Sequence, residues 1–295
     1  MFTDPKLAAA FIQVLESGSF EKAAAKLHLS PSAVSQRIRR LESQTGCLLL
    51  TRNQPPQPTD AGRKLLAYLR RADLLAQEIQ RDLQHEAQPF VLKLAVNYDV
   101  LETWLIPALS RLRQQHDFLC HLVADDQEHT LAMLTDGQVH AALSSASQAA
   151  NACEALHLGS QRYRLVASST AAVRWFDDAP DRRHLKQAPL LVFNRKDRLQ
   201  HEFLYQHFGL NADHCPTHYV PSSQAFFQAV CLGLGYGLLP DNQSHAELAA
   251  GRLIDLVPGS WVDIPVYWHS WQIAPPLMQR LRTDFASIAA DCLQP

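Results

Sequence analysis

The 295 residues contain no C-x-x-C pair, no G-x-S-x-G, no glycine-rich phosphate loop and no apolar run near the roughly 18 residues that span a bilayer. Each absence removes a class of protein. Without a paired nucleophile and base or a phosphate cradle, hydrolases and nucleotide-driven enzymes have no foothold, and no catalytic residue is assigned. The six cysteines (Cys47, Cys120, Cys153, Cys215, Cys231, Cys292) are scattered through apolar surroundings, so most are expected to be reduced, buried thiols. Of the fourteen histidines, His116, His121, His129, His157 and His184 lack the spacing that sets two metal ligands on one helical face, so no metal and no cofactor are expected. The N-terminus carries Asp4 and breaks its apolar run at Gln13 and Glu16, unlike a signal peptide; a cytoplasmic protein without a membrane partner is expected.

Charge is unevenly distributed. Residues 1–85 hold 12 Lys+Arg against 8 Asp+Glu, a surplus of +4, while the remainder holds 15 against 21, a net −6. A basic module that touches polyanions, joined to a larger acidic module that does not, fits this split. Hydrophobic residues at 47% leave ample material for two or three packed domains.

The basic module reads as helices. Leu7, Ala8, Phe11, Ile12, Val14 and Leu15 recur at helical spacing up to Gly18. Ser19 caps a second helix from Phe20 to about His28, whose Ala23 and Ala24 allow close approach of a neighbour. Ser30 and Pro31 then open a third, to about Thr45. In it Val34, Ile38 and Leu41 form the inward stripe, which leaves Ser32, Ser35, Gln36 and Arg39 outward with Arg37 and Arg40 on the flanks. These side-chain types bind base edges and phosphates. A solvated basic face would account for the arginines alone; the alanine-rich second helix, the short turn and the capped serine-rich start favour a helix-turn-helix whose third helix enters the major groove. The stretch CLLLTRNQPPQPTDAG (47–62) reads as an apolar strand, a proline-rich turn and a helix start, a wing carrying Arg52, with Thr59 capping a helix to about Gln84. On that helix Leu65, Leu66, Leu69, Ala72, Leu75, Ala76, Ile79 and Leu83 form a stripe expected to pair with a second copy.

After residue 89 short apolar runs at 91–97, 118–124, 141–145, 163–168, 190–194, 236–240 and 266–271 alternate with helical stretches, giving an α/β class. Helices are expected at about 101–115, 127–136, 197–207, 223–233, 242–250 and 276–291.

The segments AAAKLHLSPSAVSQRIRRLE, TR at 51–52 and PTDAG at 58–62 resemble the winged helix-turn-helix of LysR-type transcriptional regulators, and AVCLGLGYGLLP (229–240) is similar to a signature of that family's effector domain. PPQPTDAG, LAVNYDVLETWLIPAL, VPSSQAF and VYWHSW look like its ArgP/LysG branch, named for response to basic amino acids. The resemblance implies a DNA-binding domain at 1–62, a linker and dimerisation helix at 63–89, and an effector domain at 90–295 built like a periplasmic binding protein. Its subdomains would be 90–162 with 268–295, and 163–267. It further implies a homodimer or homotetramer bound to a double-stranded operator, contact with RNA polymerase and a nucleoid location. The family's contacting positions match Pro31, Ser32, Ser35, Gln36 and Arg39, with Arg52 in the wing; Ser30, Arg37 and Arg40 flank them. Many members carry arginine where this chain has Gln36, a residue suited to adenine.

Ligands in such sheets bind at strand carboxyl ends, beside helix N-termini. Asn97 and Asp99 follow the first strand of the acidic module, and Ser222 and Ser223 open a later helix; either place suits an α-carboxylate. Asp125, Asp126 and Glu128, with Asp99, offer anionic partners for a basic amino acid, lysine or arginine, although Asp125 and Asp126 equally fit a solvated loop and cap. Ser144 and Ser145 lie at the next strand end as polar contacts, and His269 either lines the hinge between the subdomains or is an ordinary strand-end histidine. The reading is a regulator of basic amino-acid export or metabolism; alternatives are an architectural or replication-inhibiting DNA-binding protein and a different small-molecule effector.

Overall fold

The structure is a computed structural model describing residues 4–51, 53–83, 89–125, 127–176 and 180–295, without the side chains of 77–82, 127 and 128. It divides into two compact units, residues 1–88 with 132–140, and residues 89–131 with 141–295.

The first unit opens with α1 (Pro5–Ser17), α2 (Phe20–Lys26) and α3 (Pro31–Thr45). Side-chain caps set each start: Asp4 accepts from Lys6 N, Ser19 from Glu21 N and Lys22 N, and Ser30 from Ala33 N. Gly18 and Gly46, both left-handed, end α1 and α3 at the expected places. Val34, Ile38 and Leu41 are buried against Phe11, Val14, Ala23 and Ala24 in one core. Each large apolar side chain buried there contributes about 1.5–3 kcal/mol, more than any surface pair on these short helices.

The expected strand of the wing does not form. One antiparallel bridge, Leu50 to Pro58, is flanked by Thr51 N donating to Gln57 O at 2.7 Å and Thr59 N to Leu49 O at 3.0 Å. Pro55, Pro56 and Pro58 supply no N–H, so a longer ladder lacks donors. The hairpin is fixed to α3 by Glu42, whose Oε1 accepts from Leu49 N (2.9 Å) and Leu50 N (3.4 Å). Helix α4 (Asp60–Leu83) starts under Thr59, whose Oγ1 accepts from Gly62 N at 3.0 Å. Its stripe divides: Leu66 and Leu69 join the core of the unit, whereas Leu75 and Leu83 are 38% and 77% exposed. The side chain of Ile79 lies outside the described residues. The segment Ala132–His140 groups with this unit, its Asp136 carbonyl accepting from Arg70 at 3.0 Å.

The second unit is α/β. Strand β1 (Phe90–Val96) leads through α5 (Tyr98–Val100), a π turn (Leu101–Leu105) and α6 (Ile106–Gln115) to β2 (Phe118–Ala124), α7 (Gln127–Thr135) and β3 (Ala141–Ser144). The single helix expected at 101–115 is thus interrupted, and Pro107, which cannot donate to an i−4 carbonyl, sits where the π turn ends. Next come β4 (Cys153–Ser168), α8 (Ser169–Trp175), α9 (Arg182–Gln187), β5 (Leu190–Val192), α10 (Leu199–Phe208), β6 (Thr217–Tyr219) and α11 (Ser223–Cys231). Strand β7 (Gly237–Pro240), α12 (Asp241–Ala249), β8 (Leu253–Asp255), β9 (Val262–Trp271) and α13 (Pro276–Ala290) complete the chain.

The sheet order is β2-β1-β3-β9-β4-β7, with β8 also on β4, and β5 pairs with β6. Strands β4 and β9 run antiparallel to each other and are common to both halves of the sheet: β9 reaches β3, and the far end of β4 reaches β7 and β8. Strand β4 begins ten residues before the run at 163–168, and Gly159, at φ 130°, marks a register shift within it. Helices α8 and α9 and strands β6 and β8 have no counterpart in the sequence-based expectation. Among the described residues no helix is long and apolar enough to cross a membrane. Burial of the cysteines is less than expected: Cys153 and Cys215 are buried, Cys231 and Cys292 are intermediate, and Cys47 and Cys120 are exposed, all with free thiols.

Candidate functional site

On α3 the inward seam of Val34, Ile38 and Leu41 leaves Pro31, Ser32, Gln36, Arg39 and Arg40 exposed, with Ser35 half-buried. Ser30 caps the helix and its Oγ lies 2.9 Å from the Ser32 hydroxyl. Arg39 reaches back to Ser35 Oγ at 3.3 Å. Arg37 departs from the free face: it is half-buried and donates to the Lys6 carbonyl of α1 at 3.4 Å, because position 37 adjoins the seam at Ile38. Arg52 lies outside the described residues.

A cavity of about 790 Å³ lies in the second unit, within the usual size of a small-molecule site. Of the residues proposed from sequence, Asn97, Asp99, Asp125 and Ser223 line it. Asn97 also caps α5, its Oδ1 accepting from Val100 N at 2.9 Å. Asp99 is held by two hydroxyls, those of Tyr163 at 2.7 Å and of Ser223. Asp125 lies 3.2 Å from His129 Nδ1, and its own N–H donates to Val96 O. Asp126 and the side chain of Glu128 fall outside the described residues.

Two expected contacts, Ser144 and Ser222, are not in the lining, and neither is His269. Ser144 is buried and accepts from Ala146 N at 3.2 Å; strand alternation turns its neighbour Ser145 to the cavity instead. Ser222 is spent as the cap of α11, accepting from Ala225 N. His269 is fully buried with Nε2 2.9 Å from the Ala146 carbonyl, and burial holds its pKa below the usual histidine range.

Sequence reasoning missed the opposite wall. The connection from β5 to α10 supplies Phe193, Asn194, Lys196, Asp197 and Arg198, α10 itself supplies Gln200, and β4 supplies Tyr163. The strand-end rule applied to β1 and β3 would have found this connection had it been applied to β5. Asp197 accepts from Leu199 N (2.9 Å) and Phe193 N (3.3 Å). Burial raises its pKa, Asp99 adds to the rise, and the two backbone bonds oppose it. Burial also pushes the Tyr163 hydroxyl well above its usual value, with Asp99 reinforcing, so Tyr163 stays a donor. One further bond joins the walls: Glu102 accepts from Gln224 N at the start of α11.

A helix-turn-helix with a long following helix, in one chain with a cleft lined by converging polar groups, is the build of a ligand-responsive DNA-binding regulator. Residues 5–63 match the bacterial regulatory helix-turn-helix protein model of the lysR family, and residues 89–287 match the LysR substrate binding domain. The chain belongs to the LysR-type transcriptional regulators, in the ArgP branch. It is 38% identical over 293 residues to the HTH-type transcriptional regulator ArgP of Pseudomonas aeruginosa strain UCBPP-PA14, covering 98% of this chain and 97% of that one. Its fold matches the crystal structure of ArgP from Mycobacterium tuberculosis with a TM-score of 0.90 at 32% identity, covering 99% of both chains. It matches full-length LysG from Corynebacterium glutamicum with bound effector Arg with a TM-score of 0.83 at 31% identity, covering 99% of this chain and 100% of that one. The relatives are transcriptional regulators, which are not enzymes.

Proposed function

We propose that this regulator binds a basic amino acid, lysine or arginine, in the cavity of its second unit and controls genes of basic amino-acid export or metabolism. The observation that carries the reading is the set of three aspartates, Asp99, Asp125 and Asp197, lining one cavity. A ligand with two amino or guanidino cations offers such carboxylates charge-assisted bonds, which are about twice as strong as neutral ones. The bound arginine of the similar LysG supports the same ligand class.

In this reading residues 1–62 bind the operator through Pro31, Ser32, Ser35, Gln36 and Arg39, with Ser30, Arg40 and Arg52 at the backbone and Arg37 bracing α3. The segment 63–89 pairs two copies into a homodimer or homotetramer, and 90–295 binds the effector between the subdomains 90–162 with 268–295, and 163–267. The site is cytoplasmic, at the nucleoid, and the output is contact with RNA polymerase. Exposed Leu75 and Leu83 on α4 support the pairing. Effector-dependent closure would change the spacing of the DNA-binding units and the bend they impose.

Calorimetric titration of the full chain with L-lysine, L-arginine and L-glutamine tests the reading. Saturable binding of the basic pair and none of glutamine is expected; equal binding of glutamine, or none of the three, overturns it. A footprint on the operator indifferent to the amino acid would favour the architectural alternative.

A further inference from the structure

We propose that Glu102 is a positioning residue for the effector: standing outside the cavity, it caps α11 from the opposite wall and so holds the two walls in their binding arrangement before a ligand arrives. The proposal deepens the effector-binding reading above and rests on it.

Of the helix starts at the cavity, that of α12 carries no side-chain cap, and those of α5 and α10 draw theirs from their own stretch of chain. Asn97 Oδ1 accepts from Val100 N at α5, and Asp197 Oδ1 from Leu199 N at α10. Helix α11 differs. Its first intrahelical bond is Phe226 N to Ser222 O at 2.8 Å, which leaves the preceding N–H groups without a carbonyl of their own helix. Ser222 Oγ takes Ala225 N, and the acceptor for Gln224 N is Glu102, 122 residues earlier in the chain. Beside it Ser223 Oγ donates to Asp99. Asp99 and Glu102 are three residues apart, a spacing that sets both on one face of a helical turn, so neighbouring residues of α11 are held by neighbouring acceptors.

Each wall is fixed separately. Two residues past Glu102, Trp104 is buried against Phe285 of α13, ring centroids 5.8 Å apart, and two residues past Gln224, Phe226 is buried with Val166, Leu191 and Leu239. The Glu102 bond therefore ties two packed bodies together rather than stiffening one. Because the cavity has a small-molecule size with this bond made, the tied arrangement is the one a ligand finds ready, and loss of the bond lowers the fraction of chains in it. Apparent affinity falls with that fraction, for every ligand alike.

Glu102→Ala removes the acceptor, and Glu102→Gln keeps one at the same reach. Glu102 is exposed, so neither substitution disturbs the core. Amide exchange of the ligand-free full chain, read by mass spectrometry over peptides covering 222–226, is expected to quicken in Glu102→Ala and to stay near wild type in Glu102→Gln. Calorimetry is expected to show L-arginine and L-lysine affinity falling by the same factor, roughly threefold to tenfold, in Glu102→Ala, with most of the loss recovered in Glu102→Gln. Unchanged exchange in Glu102→Ala overturns the tie between the walls, and quicker exchange with unchanged affinity overturns the positioning role. Glu102→Gln as weak as Glu102→Ala despite wild-type exchange overturns it too, since it would put Glu102 on the ligand itself. Failure of wild type to bind either amino acid overturns the ligand class, while the exchange comparison, which uses no ligand, still decides the tie.

Discussion

Replacing Asp197 by asparagine separates what this carboxylate does for binding from what it does to stability. In the native state its two oxygens accept from Leu199 N at 2.9 Å and Phe193 N at 3.3 Å. Asparagine keeps one acceptor and turns an amide nitrogen toward the other N–H, a loss of about 1–2 kcal/mol. Against that stand two gains, since burial and the Asp99 carboxylate both disfavour the charged form. Near neutral pH the terms offset, and the variant is expected within about 1 kcal/mol of wild type. The pH dependence then identifies the cause. A carboxyl whose native pKa is raised keeps its proton in the folded chain after the unfolded one, near about 3.9, has released it, so stability falls as pH rises from there through the native pKa. The difference in unfolding free energy, wild type minus Asp197→Asn, should be greatest near about pH 4 and shrink toward pH 7. Urea unfolding followed by tryptophan fluorescence measures it for the relevant unit alone, because Trp104, Trp175, Trp261, Trp268 and Trp271 all lie there. The same variant should lose roughly tenfold or more in L-arginine affinity. A pH-independent difference would refute the electrostatic account of Asp197, and unchanged affinity would remove it from the ligand's partners.

In the first unit, a Cβ at Gly62 would lie 2.0 Å from the Leu49 carbonyl oxygen, so Gly62→Ala should destabilise the helix-turn-helix by about 2–3 kcal/mol, read as a lower Tm of residues 1–88 within the full chain by calorimetry. Glu42→Ala leaves Leu49 N and Leu50 N without their charged acceptor and should cost about 1.5–3 kcal/mol, with weaker operator binding in gel shifts as the wing detaches; unchanged Tm and affinity would refute its anchoring role. Gln36→Arg should move base preference at one operator position from adenine toward guanine by about 1–3 kcal/mol in a binding-site selection, and an unaltered preference would place Gln36 off the bases.

The helix-turn-helix was legible because every signal in it is local. Asp4, Ser19 and Ser30 cap, Gly18 and Gly46 terminate, and the stripe of Val34, Ile38 and Leu41 finds Phe11, Val14, Ala23 and Ala24 within the preceding 30 residues. What failed to show was non-local. Glu42 looks like a solvated charge in RIRRLE until the hairpin arrives seven and eight residues later with two unpaired N–H groups. Strand β4 hides its first ten residues because Gly159 and the shift beside it break the alternation that marks a strand. Helices α8 and α9, at 7 and 6 residues, are too short to express an apolar period.

The cleft was half legible for a related reason. A strand end followed by a helix start is a local pattern, which led to Asn97, Asp99, Ser222 and Ser223, but the partner each polar group takes is decided by the opposite wall. Asp99 was read as an acceptor for the ligand's cation. The fold gives it the hydroxyls of Tyr163 and Ser223, 64 and 124 residues away in sequence, so its hydrogen-bond partners are already supplied by the protein. Asp197 sits near it and, among the described residues, accepts only from backbone donors. Of this pair, Asp197 therefore gains more from an incoming cation, since Asp99 has hydroxyl partners to lose in turning toward one. On this reasoning the acid absent from the sequence-based set has the larger claim on the ligand: Asp197→Asn should lower affinity for a basic amino acid more than Asp99→Asn does.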